Sequence, residues 1–156
     1  EIGIGAGIGE TLIASATMTS ILRNPDLKSK LMILMILFIA LDETVAIYGL
    51  VIALSIIGLH TDVVAANAHT LIAAALAVGL PGLVIGAGEG FVARTAIDCI
   101  GKNGELQSNY MILTILGMAL IESAAIYGLV VAMQLLSPLQ EQSTALFEAA
   151  KAALGA

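Results

Sequence analysis

Residues 41–51, Leu-Asp-Glu-Thr-Val-Ala-Ile-Tyr-Gly-Leu-Val, return 79 positions later as residues 120–130, Leu-Ile-Glu-Ser-Ala-Ala-Ile-Tyr-Gly-Leu-Val. The six residues from Ala46 to Val51 are repeated unchanged from Ala125 to Val130. Each copy sets one glutamate, Glu43 or Glu122, inside a long apolar run. A hydroxyl residue follows it, Thr44 or Ser123, and five positions on from the glutamate comes Tyr48 or Tyr127. The same offset pairs Asn24 with Asn103 and Glu10 with Glu89, and it aligns residues 1–59 with 80–138. An internal repeat takes precedence over other fold signals.

The surrounding composition says where such a repeat can live. Of 156 residues, 59% are hydrophobic and only 12% are charged. Soluble domains carry about 25% charged residues, so a soluble monomer and a disordered chain are both excluded. Six Lys/Arg against twelve Asp/Glu leave no basic face for nucleic acid. Four apolar runs remain: 1–22 with Glu10 inside, 31–59 with Asp42 and Glu43, 70–101 with Glu89, Arg94 and Asp98, and 110–136 with Glu122. A hydrocarbon core of about 30 Å takes about 20 helical residues. The expected fold is an all-α membrane protein of four transmembrane helices, arranged as two tandem helical hairpins, 1–62 and 63–138. Pro25 and Gly104 break the helices within the hairpins, and Pro138 is expected to end the last span. Residues 139–156 are expected to form a short tail helix, a solvated cap. The repeat also predicts about 10 to 15 residues upstream of Glu1, which stands in mid-helix.

Arg23, Lys28 and Lys30 lie in one intra-hairpin loop and Lys102 in the other, whereas residues 60–69 hold no Lys or Arg. The positive-inside rule therefore places both intra-hairpin loops in the cytoplasm.

Five carboxylates lie inside the apolar spans: Glu10, Asp42, Glu43, Glu89 and Glu122. An ionised carboxylate near the bilayer centre costs at least about 2.5 kcal/mol. The four glutamates recur at one offset, which argues for a role. Asp42 is replaced by Ile121 in the second copy, leaving a local or packing role open for it. Glu43, Thr44 and Tyr48 bring carboxylate, hydroxyl and phenol oxygens close on one helix, as do Glu122, Ser123 and Tyr127. Hard cations prefer oxygen ligands. A small dehydrated cation fits this cluster if Glu10 or Glu89 on the neighbouring helix completes it. A proton needs only one carboxylate and one acceptor, so the extra hydroxyls favour Na⁺. The same hydroxyls would also serve simply to hydrogen-bond a protonated glutamate.

The other polar residues read as structure. Gly3, Gly5, Gly7 and Gly9, with Gly82, Gly86 and Gly90, are spaced for close helix packing in lipid. Arg94 and Asp98 share a helix face as a snorkelling pair. His60 and His69 read as interfacial, and Cys99 as a small buried residue with no disulfide partner.

The Gly-rich first helix, the polar loop Arg23-Asn24-Pro25-Asp26, and an intramembrane Glu followed by Ile47-Tyr48-Gly49-Leu50-Val51 together resemble the proteolipid, or c-ring protein, of rotary ATP synthases. The second half shows the same order, with Lys102-Asn103-Gly104-Glu105 as its loop. The resemblance implies a ring of hairpins in a prokaryotic plasma membrane. The ring turns against a membrane stator subunit, and each carboxylate loads and releases one Na⁺ or H⁺. Carried over by position, Glu43 and Glu122 match the ion-carrying carboxylate, and Thr44 and Ser123 the hydroxyl ligand of sodium-binding members. Tyr48 and Tyr127 match the supporting tyrosine, and Leu41 and Leu120 the backbone carbonyl ligand. Glu10 and Glu89 stand where many sodium-binding members have Gln. Most F-type members are a single hairpin, so this chain resembles a fused pair with both sites kept. Each site is then expected between adjacent hairpins, alternately within and between chains, and the two polar loops are expected to meet the central stalk. The resemblance implies no cofactor and no catalysis by this chain alone. Two other readings compete: a secondary transporter of two parallel repeats, and a purely structural membrane oligomer. The first accounts poorly for the long unbroken spans, the second for the repeated acids.

Overall fold

A computed structural model describes residues 2–155. Glu1, where the repeat reading places the truncated start of the first helix, lies outside the described residues, as does Ala156. Five α-helices follow in order: α1 (Ile2–Arg23), α2 (Lys28–Ile57), α3 (Thr61–Ala66), α4 (Ala68–Lys102) and α5 (Gln107–Ala153). The described residues contain no strand. α1 with α2, and α4 with α5, are the two hairpins, and α3 links them. Three helical stretches, Pro25–Ile57, Ala68–Lys102 and Gly104–Ala153, are long and apolar enough to cross a membrane by length and composition. α1, expected as a fourth such span, is diluted by its Gly, Ser and Thr residues; it packs mainly on α4 and α2.

The two hairpin turns reach one geometry by different chemistry. Asn24 precedes Pro25, whose ring disfavours the helical region for the residue before it, and Asn24 sits at φ −141°, ψ 84°. Asn103 takes nearly the same angles, φ −144°, ψ 96°, without a proline. Its side chain instead accepts a hydrogen bond from the Glu105 N–H at 3.1 Å. A single 3₁₀ turn follows each, Pro25–Leu27 and Gly104–Leu106.

α1 and α4 form an inner pair, on which α2 and α5 pack from outside. The inner pair meets backbone to backbone at glycines. A Cβ on Gly5 would lie 2.7 Å from the Gly82 carbonyl oxygen, and one on Gly90 would lie 2.7 Å from the Gly9 carbonyl oxygen. Two apolar cores result. One, near the hairpin turns, contains Leu34, Phe38, Ala93, Ile97 and Met118. The other, toward α3, contains Val45, Ile52, Val78, Ile85 and Ala125. Along α2, α4 and α5 the acids Asp42, Glu89 and Glu122 all fall between these two cores.

α5 differs from expectation at its end. The helix continues through Pro138 to Ala153, so the tail is part of α5 rather than a separate helix. A proline removes one backbone hydrogen bond, and packing beyond it holds the helix together. Leu139 and Ser143 are buried. Ser143 Oγ accepts from the His60 backbone N–H at 2.8 Å, and the His60 and Phe147 rings meet edge to face at 5.0 Å. The inter-hairpin boundary placed at residue 62 falls inside α3. At the opposite end Asp98 lies 4.0 Å from Arg94, its helix-face partner, and also 3.7 Å from Arg23 of α1. These partly exposed pairs contribute at most about 1 kcal/mol each.

Candidate ion site between the hairpins

Helical geometry sorts the residues of α2. The buried stripe runs Leu31, Leu34, Phe38, Asp42, Val45 and Ile52. Thr44 and Tyr48, four apart, share a different edge. Glu43 is rotated about 100° from Thr44 and is exposed. The oxygen cluster expected within α2 is therefore divided between two directions. Thr44 and Tyr48 turn toward the second hairpin.

There they meet Glu122 of α5. The Tyr48 hydroxyl donates to Glu122 Oε1 at 2.7 Å. Thr44 Oγ1 lies within hydrogen-bonding reach of the same carboxylate oxygen and 2.7 Å from the Leu41 carbonyl oxygen. A hydroxyl has one proton to donate, so Thr44 cannot serve both acceptors. Either Glu122 carries a proton, or a cation sits among these oxygens. Glu89 of α4 lies behind them, 1% exposed, with neither carboxyl oxygen hydrogen-bonded among the described residues. It is within electrostatic reach of Glu122. Glu122, Glu89, Thr44, Tyr48 and the Leu41 carbonyl thus form one site at the boundary between the hairpins.

The second set is not gathered within one chain. Ser123 Oγ donates to the Leu120 carbonyl at 2.7 Å, the same local bond that Thr44 can make to Leu41. Yet Tyr127 is 70% exposed and Leu120 is 66% exposed, with no acid facing them among the described residues. Glu10 is half-buried and Glu43 exposed. Asp42 was legible as buried from its place on the stripe, but its neighbour was not. Its carboxyl oxygens rest against Gly9 of α1, a contact that depends on how the hairpin closes. The loop residues Arg23, Asn24, Pro25 and Asp26 and their counterparts Lys102, Asn103, Gly104 and Glu105 come together at one end of the helices, where Gly104 packs against Leu27.

Tandem apolar hairpins with carboxylates layered between two cores define a membrane-embedded proteolipid built by duplication. The family profile of the ATP synthase proteolipid, the c-ring protein, matches residues 2–56 and again 72–135. The chain belongs to that family, as a membrane rotor component that is not catalytic by itself. The chloroplastic ATP synthase c-ring protein of Porphyra purpurea is 41% identical over 70 residues, which cover 45% of this chain and 85% of the relative. The corresponding ATP synthase protein of Chloroflexus aurantiacus is 40% identical over 62 residues, covering 40% of this chain and 82% of the relative. The chloroplastic one of Oedogonium cardiacum is 42% identical over 69 residues, covering 44% and 83%. These relatives are single hairpins, and this chain carries two hairpins in tandem.

Proposed function

We propose that this chain is the repeating unit of a rotor ring that carries Na⁺ on Glu122 and Glu43 as the ring turns against a stator subunit. The observation that supports it is the oxygen set around Glu122: the Thr44 hydroxyl, the Tyr48 hydroxyl at 2.7 Å and the Leu41 carbonyl, all from the other hairpin. A proton alone would need fewer oxygens. The half-set Leu120, Ser123 and Tyr127 on the second hairpin's outer edge would be completed by Glu43 and Glu10 of a second copy. That arrangement repeats the within-chain site between chains and closes a ring.

The mechanism follows from charge. A loaded site is close to neutral and tolerates lipid. An emptied site is ionised and must face a hydrated channel, since an ionised carboxylate in the bilayer costs at least about 2.5 kcal/mol. Rotation is biased by which state enters lipid. Each ion draws about 2.3 kcal/mol per 100 mV of membrane potential. The basic intra-hairpin loops would face the cytoplasm and the central stalk.

Carbodiimide labelling tests the reading. Glu43 and Glu122 are expected to be modified, and Na⁺ is expected to protect both. Labelling that ignores Na⁺ would assign the site to H⁺. An unlabelled monomer would sink the rotor reading.

A further inference from the structure

Asp42 is the acid that the repeat does not duplicate, since Ile121 stands in its place. It is 0% exposed, and neither carboxyl oxygen has a hydrogen-bond partner among the described residues. The carboxyl lies where a side chain on Gly9 would be: a Cβ there would fall 2.7 Å from Oδ1. It is within electrostatic reach of Glu10 on α1 and of Glu89 on α4, the inner acids of the two sites. In the second repeat the position of Gly9 is taken by Gly88, and a Cβ there would meet nothing within 4 Å. Around a ring, successive inner glutamates are therefore separated alternately by Asp42 on Gly9 and by Ile121 at Gly88.

We propose that Asp42 makes the two cation sites of each chain unequal, giving the Glu43–Glu10 site the higher affinity for Na⁺. This rests on the sodium-rotor reading above. An extra carboxyl with free oxygens adds attraction for a cation, and the bilayer interior screens it little. Its effect falls first on Glu10, which adjoins Gly9 in sequence. Glu89 already has Glu122 as its partner acid. No cationic side chain faces this layer among the described residues to cancel the added field; the salt bridges there lie at the two ends of the helices. The ring then presents alternating strong and weak sites to the stator.

Residue-resolved carbodiimide labelling of intact rings, over a Na⁺ series at fixed pH, reads the two sites separately. Half-protection of Glu43 is expected at a Na⁺ concentration at least about fivefold below that of Glu122. Asp42→Asn keeps the side-chain volume and is expected to bring the two curves within about twofold, by moving the Glu43 curve upward. Ile121→Asp, with the open space at Gly88 beside it, is expected to lower the Glu122 concentration. Coincident curves in the unmodified ring, or an unchanged gap in Asp42→Asn rings, would overturn the proposal. If Asp42→Asn rings do not assemble, an unshifted Glu122 curve in Ile121→Asp rings overturns it equally. Na⁺ protection at neither residue would defeat the sodium reading and this inference with it, whereas equal protection at both defeats the inference alone.

Discussion

Thr44 has one hydroxyl proton and two acceptors in reach, and Tyr48 spends its own on the same carboxylate. These two side chains come from the hairpin that does not carry Glu122, so their loss should be felt across the hairpin boundary. Tyr48→Phe removes a hydrogen bond to a carboxylate, an interaction worth about 1.5–3 kcal/mol. It should raise the Na⁺ concentration that protects Glu122 by about tenfold or more, and leave the curve of Glu43 in place. Residue-resolved labelling checks this, and a shift at Glu43 instead would reassign Tyr48 to its own helix. The residue types of the site were legible in the sequence, and so was the face shared by Thr44 and Tyr48. Their acceptor was not. A spacing of four says that two side chains point one way, but it does not say what stands opposite.

Between helices, the decisive contacts are backbone against backbone. Gly90 lies against Gly9, so a methyl group at Gly90 has nowhere to go without separating α1 from α4. Overpacking of this kind costs about 1–3 kcal/mol or more. Gly90→Ala should therefore lower the temperature at which the assembled protein dissociates. Gly58→Ala should not, because the nearest atom to a Cβ there is the Leu54 carbonyl oxygen at 3.5 Å, an ordinary contact. Thermal dissociation of the two variants side by side checks the contrast. Pro138 teaches the reverse lesson. It reads as a helix end, and α5 runs through it. A proline removes one hydrogen bond, and the packing of Leu139 and Ser143 beyond it is enough to keep the helix continuous.

At the scale of the assembly, one chain holds one gathered site and two open halves. Tyr127 at 70% exposed and Leu120 at 66% are an edge left for a second copy. The intact particle in detergent should accordingly have a single mass that is a whole multiple of the 15.9 kDa chain. A monomer, or a spread of open oligomers, would contradict a closed ring. Tyr127→Phe should weaken Na⁺ protection at Glu43 by about tenfold or more and spare Glu122, the mirror of the Tyr48 result.

Periodicity and the repeat were enough to specify helices, hairpins, the tandem order and the acids that matter, because burial pattern and bilayer thickness act along the chain. The partner of each acid was not specified that way. Glu122 pairs with Thr44 and Tyr48, and Asp42 with Gly9, through contacts between residues far apart in the chain. Such contacts depend on how closely two backbones approach and how each helix is rotated about its axis. Those quantities are set only when the glycine faces of α1 and α4 close on each other and α2 and α5 settle over them.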